Sequence, residues 1–133
     1  MAKKTKFPGI NEKFLRKRAS RITQKDIEDV GKKSDEIRGK FEKARPLGRF
    51  INDGKLLISI VKDYLNGSYK NIPWWALTAI VFTLLYVFSP VDIIPDVIPV
   101  IGFLDDAAVV AVCVLLVEQQ LHEYKEWKSN QSS

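Results

Sequence analysis

The chain has 133 residues, enough for one modest core, and a formal charge of +5 that hides two opposite halves. Residues 1–70 carry 19 Lys/Arg against 9 Asp/Glu, whereas residues 71–133 carry 2 against 7. A single cysteine, Cys113, excludes an intrachain disulfide and a thiolate metal cluster, and its setting in AAVVAVCVLLV is that of a small buried hydrophobe.

In chain order, residues 1–23 are basic with one acid, and they contain no apolar run of signal-peptide length. They predict a flexible cytoplasmic arm with a short helical piece over residues 11–19. There Lys13, Arg16, Lys17, Arg18 and, just beyond, Arg21 would offer a basic surface to lipid headgroups or simply to solvent.

Residues 24–71 form an amphipathic helical region. Thr23 with Asp26 has the spacing of a capping box. Ile27, Val30, Ser34, Ile37, Phe41 and Ala44 then recur at alternating steps of three and four, a narrow apolar stripe. Gly31 and Gly39 each weaken this helix by about 1 kcal/mol relative to Ala, and Pro46 closes it. A second helix over residues 47–65 turns Leu47, Phe50, Ile51, Leu57, Ile58, Val61, Tyr64 and Leu65 to one side, with Arg49, Lys55, Lys62 and Asp63 largely off it. Asn66-Gly67-Ser68 supplies turn chemistry.

Residues 72–128 read as an apolar helical hairpin, followed by a polar tail at 129–133. Its first arm, residues 72–88, is apolar on every side apart from two threonines, with Trp74-Trp75 at one end and Tyr86 near the other. Seventeen residues rise roughly 26 Å, a little short of the ~30 Å hydrocarbon core of a bilayer. The second arm starts near Asp106, but its uninterrupted apolar run of eleven residues rises only about 16 Å.

Between the arms lies SPVDIIPDVIPVIGFLDD. Ser89, Pro90 and Asp92 are the cap, first-position proline and third-position acid of a new helical turn. Pro95 and Pro99 interrupt helix, Gly102 suits a left-handed turn, and Asp105 and Asp106 suit the start of the next helix. These tasks make a stiff apolar corner; Asp96 is the residue they explain least. The sharper alternative is that Asp92, Asp96, Asp105 and Asp106 converge to hold a cation or relay a proton. Glu118, His122 and Glu126 share a helical face, where a solvated surface is the plainer reading than metal ligation. A glycine-rich phosphate loop, a GxSxG elbow, an HExxH pair and a second histidine are all missing, so neither an enzyme nor a cofactor is expected.

LYVFSPVDIIPDVIPVIGFLDDAAVV resembles the signature of the YkvA-like family, domain of unknown function 1232, at Ser89, Pro90, Asp92, Pro95, Asp96, Pro99, Gly102, Asp105 and Asp106. The resemblance covers roughly residues 72–117. It implies a small helical membrane-associated protein, mostly bacterial, and carries no activity, substrate or cofactor with it.

The expected fold is all-α with about four helices: two amphipathic N-terminal helices and an apolar hairpin joined by a Pro/Asp-rich corner. The leading functional expectation is a non-enzymatic scaffold or modulator whose hairpin enters the membrane, both termini remaining cytoplasmic. Its partners would be a bilayer with anionic headgroups and a protein partner or second copy, with nucleic acid disfavoured. The alternatives are a soluble four-helix domain that binds nucleic acid or an acidic protein through its basic half, and a cation- or proton-handling site at the four aspartates.

Overall fold

A computed structural model describes residues 12–43, 48, 50–88 and 106–131. The fold is all-α, with seven helices and no strands among the described residues. They are α1 (Glu12–Ala19), α2 (Gln24–Lys32), α3 (Ser34–Lys43), α4 (Ile51–Leu65), α5 (Trp74–Phe88), α6 (Asp106–Leu116) and α7 (Glu118–Gln131).

Seven replaces the expected four for local reasons. The helix expected over residues 24–44 is two, interrupted at Lys33, and the last helix is two, interrupted at Val117. Each interruption is slight. Lys33 N–H donates to Asp29 O at 3.0 Å and its own carbonyl accepts from Ile37 N–H at 2.9 Å. Val117 is bonded the same way to Cys113 and Leu121, at 3.0 and 2.9 Å. The hydrogen-bond ladder therefore continues through each bend. The remaining additional helix, α1, is the short basic piece.

Local signals in the sequence appear as geometry. Asp26 N–H donates to Thr23 Oγ1 at 3.3 Å and Thr23 N–H donates to Asp26 Oδ2 at 2.9 Å, the reciprocal pair of a capping box. The stripe Ile27, Val30, Ser34, Ile37 and Phe41 is buried throughout. At the end of α4, Asn66 Oδ1 accepts from Ser68 N–H at 2.9 Å, and Gly67 takes a φ of +86°, which favours glycine.

α5 is the axis of the fold. Every residue from Ala76 to Val87 is buried, and α1, α2, α3, α4 and α6 all pack against it. The two threonines do not disturb this apolar setting. Thr78 Oγ1 donates to Trp75 O at 3.1 Å and Thr83 Oγ1 to Ala79 O at 2.9 Å, so neither hydroxyl is left without a partner in the core.

The sequence leads to the expectation of an apolar hairpin that enters the membrane, with arms at or below spanning length. α5 has 15 residues, a rise of roughly 22 Å, and no helix among the described residues is long and apolar enough to cross a membrane. α5 is apolar all round and needs cover on every face. The chain covers it by cutting its first half into four short pieces, each able to lay its stripe on α5 or α4 at its own angle.

Candidate functional site

Two surface features gather side chains from separate elements, and both are built on the packing of α5 and α4. The first begins with α1. Leu15 and Ala19, four residues apart, are buried, so α1 packs on α5 and α6 through that side. The opposite side is left outward: Lys13, Arg16 and Lys17 are exposed, Arg18 is half-buried, and Arg21 just past the helix is exposed. The packing brings this basic face to the start of α5. There the Arg16 guanidinium lies 4.9 Å from the ring centre of Trp75, a cation–π distance.

Trp74 and Trp75 are 52% and 37% exposed, and with Leu115 at 68% they are the exposed large hydrophobic residues among those described. Pro73 precedes them, and its carbonyl starts the helix by accepting from Leu77 N–H at 3.0 Å. Leu115 lies two residues beyond Cys113, whose Sγ donates to Ala79 O at 3.7 Å, about one turn into α5 from Trp75. Sequence reasoning found the basic cluster and the tryptophan pair separately, more than fifty residues apart. Only the docking of α1 makes them one surface.

The second feature joins α4 to α7. Tyr124 OH donates to Asp63 Oδ2 at 2.5 Å and is also bonded to Ser59 Oγ at 2.5 Å. Lys128 Nζ donates to the same Asp63 oxygen at 2.8 Å. Burial would push the Asp63 carboxyl upward, but the hydrogen bonds from Lys128 and Tyr124, with the Lys128 charge and a bond from Asn66, outweigh it and hold the group below its ordinary value. Tyr124 is raised by burial and by its bond to Asp63, and Lys128 is raised chiefly by its bond to the same carboxylate. The cluster ties α4 to α7. Tyr124 also packs edge-on against Tyr69, with ring centres 5.0 Å apart, and stacks on Trp127 at 5.7 Å. These partners lie 61 and 65 positions apart in sequence, and no spacing rule could have found them.

Of the corner residues, Ser89, Pro90, Asp92, Pro95, Asp96, Pro99, Gly102 and Asp105 lie outside the described residues. Asp106 opens α6. Among the described residues no three of His, Cys, Asp and Glu are grouped so as to hold a metal ion. His122 and Glu126 form an exposed pair at 3.3 Å, the solvated helical face that their spacing suggested.

Residues 76–112 match the model of the family described as a protein of unknown function, DUF1232. The match covers 37 of the 133 residues, so the chain carries a DUF1232-like segment. The matched stretch runs from the first turn of α5 into α6, so it begins at the axis of this fold. The chain is also 38% identical over 69 residues to the "Uncharacterized membrane protein YkvA" of Bacillus subtilis (strain 168). That alignment covers 52% of this chain and 65% of the relative, so the chain spans just under two thirds of the curated relative it matches. No solved structure matches.

Proposed function

We propose that this protein is a non-enzymatic scaffold or modulator held at the surface of an anionic membrane. The observation that carries the reading is the Arg16–Trp75 contact, which sets exposed indole rings within a basic face. Indole rings favour the headgroup level of a bilayer, where the apolar body and the N–H are both accommodated. Each Lys or Arg near an anionic leaflet adds about 1 kcal/mol of attraction, and long basic side chains can keep their charges in the headgroups while their stems cover apolar surface. Attachment of this kind needs no spanning helix, since the apolar rod α5 is already covered by the chain itself. The name of the Bacillus subtilis relative supports a membrane setting. Attachment from one face leaves both ends of the chain on the cytoplasmic side. The bound protein would present its remaining surface to a protein partner or a second copy.

Co-sedimentation with vesicles tests this. The protein should pellet with phosphatidylcholine vesicles containing about a third phosphatidylglycerol and stay in the supernatant with phosphatidylcholine alone. Alkaline carbonate should release it. Replacing both Trp74 and Trp75 by Ala should sharply reduce pelleting while leaving the helical circular dichroism unchanged. Equal pelleting of the double variant, or none by the wild type, overturns the reading.

A further inference from the structure

A cleft of about 350 Å³ opens where α3, α4 and α7 meet, lined by four cationic side chains, Arg38, Lys55, Lys62 and Lys128. They come from three helices and from both halves of the chain, so the gathering is a product of the fold. Lys55 and Lys62 stand seven residues apart on α4, two turns along one face, with Ser59 between them and Asn66 one turn further on; both of these also line the cleft.

The charges are only partly answered from within the protein. Lys128 is bonded to Asp63, whose side chain is 13% exposed, and Arg38 pairs with Asp35 at 3.1 Å. Among the described residues no carboxylate pairs with Lys55 or Lys62. Lys55 and Lys62 thus bring two positive charges that no carboxylate among the described residues answers by pairing. Clefts with low-dielectric walls focus such a field, and here the buried Ile58 belongs to the wall.

We propose that this cleft binds a phosphate group carrying two or more negative charges, on a small soluble molecule or on a lipid headgroup. The cationic donors suit that chemistry: a guanidinium fork and lysine ammonium groups, all able to donate to phosphate oxygens. The volume suits it also, lying near the lower end of the ~300–1,000 Å³ of small-molecule sites. Asp63 is turned to Tyr124 and Lys128, and it fixes Lys128 at the rim. The cleft is lined by none of the α1 residues or tryptophans of the membrane-facing surface, so the proposal stands without the membrane reading.

The test is a proton–nitrogen NMR titration of the full chain with inorganic pyrophosphate at constant ionic strength, with sodium chloride as the reference salt. A parallel arm uses co-sedimentation with phosphatidylcholine vesicles with and without phosphatidic acid. Lys55→Gln/Lys62→Gln is compared with Lys32→Gln/Lys125→Gln, which removes the same charge at exposed positions outside the cleft. Pyrophosphate should give saturable shifts confined to α3, α4 and α7. The cleft variant should bind at least tenfold more weakly and the reference variant should bind as the wild type does. Saturable shifts with pyrophosphate assign a soluble ligand. A response only to phosphatidic acid, lost in the cleft variant alone, assigns a headgroup. The proposal is overturned if neither probe gives a response beyond that of chloride, or if the two variants weaken binding equally.

Discussion

Gly54 of α4 lies directly against the ring of Phe41 of α3: a methyl group added at Gly54 would stand 2.7 Å from Phe41 Cδ1 and 2.8 Å from Cδ2 and Cε1. Phe41 is 1% exposed, so the ring has no free space to move into. Gly54→Ala should therefore destabilise the fold by about 1–3 kcal/mol despite the better helix propensity of Ala. Gly39→Ala on α3 is the opposite case, since nothing lies within 4 Å of the added methyl. It should stabilise by about 0.5–1 kcal/mol. Urea midpoints of the two variants should move in opposite directions; movement of both the same way would refute the packing of α3 on α4.

Tyr124→Phe keeps the buried ring and removes the hydroxyl shared by Asp63 and Ser59. Loss of a hydrogen bond to a carboxylate should cost about 1.5–3 kcal/mol. The variant should unfold at lower urea while its slope is unchanged. An unaltered midpoint would mean that the bond to Asp63 contributes nothing.

The same carboxylate predicts a pH dependence. The folded protein holds Asp63 below its ordinary value of 3.8, so its ionised form adds stability at neutral pH. That contribution is present above 3.8 and is lost as pH falls through the lower folded-state value. Wild type should exceed Asp63→Asn in stability at pH 7, and the gap should narrow as the pH is lowered below about 4. A gap that stays constant from pH 7 to pH 3 counts against the assignment.

Cys113 is fully buried, and burial pushes its thiol up to about 12, with the neighbouring Thr83 side chain opposing the shift only in part. At pH 8 only about one thiol in ten thousand would be ionised, even if reagent reached it. Iodoacetamide should leave the native protein unlabelled and modify it at once in urea. Rapid stoichiometric labelling without denaturant would show that α5 and α6 do not pack as described.

Membrane attachment should be electrostatic in part. Lys13→Gln/Lys17→Gln should lower partitioning onto anionic vesicles by about 2 kcal/mol, roughly 30-fold, and the wild type should approach the variant as salt rises. Partitioning that ignores both the substitutions and the salt would place the contact elsewhere on the molecule.

Where an interaction is local, it was legible in the residues. The Thr23–Asp26 capping box, the Asn66–Ser68 turn and the stripe from Ile27 to Phe41 each depend on spacings of two to four along one helix or turn, and each stands in the structure. The bends at Lys33 and Val117 carried no breaker residue to announce them, which is why the helices were expected to be longer and fewer.

The sequence by itself determined that the described chain is helical, that the apolar run through residues 76–87 needs surroundings free of water, and that the stretch around Ser89–Asp106 resembles the DUF1232 signature. What those surroundings are was decided by tertiary structure. Hydrophobicity records the transfer of a side chain out of water without saying whether lipid or protein receives it, and here α1, α2, α3, α4 and α6 receive it. The meeting of Arg16 with Trp75, and of Lys55 and Lys62 with Arg38 and Lys128, was likewise settled only by packing. Contacts between distant helices depend on crossing angles and on which faces meet, and neither is written in the spacing of residues along the chain.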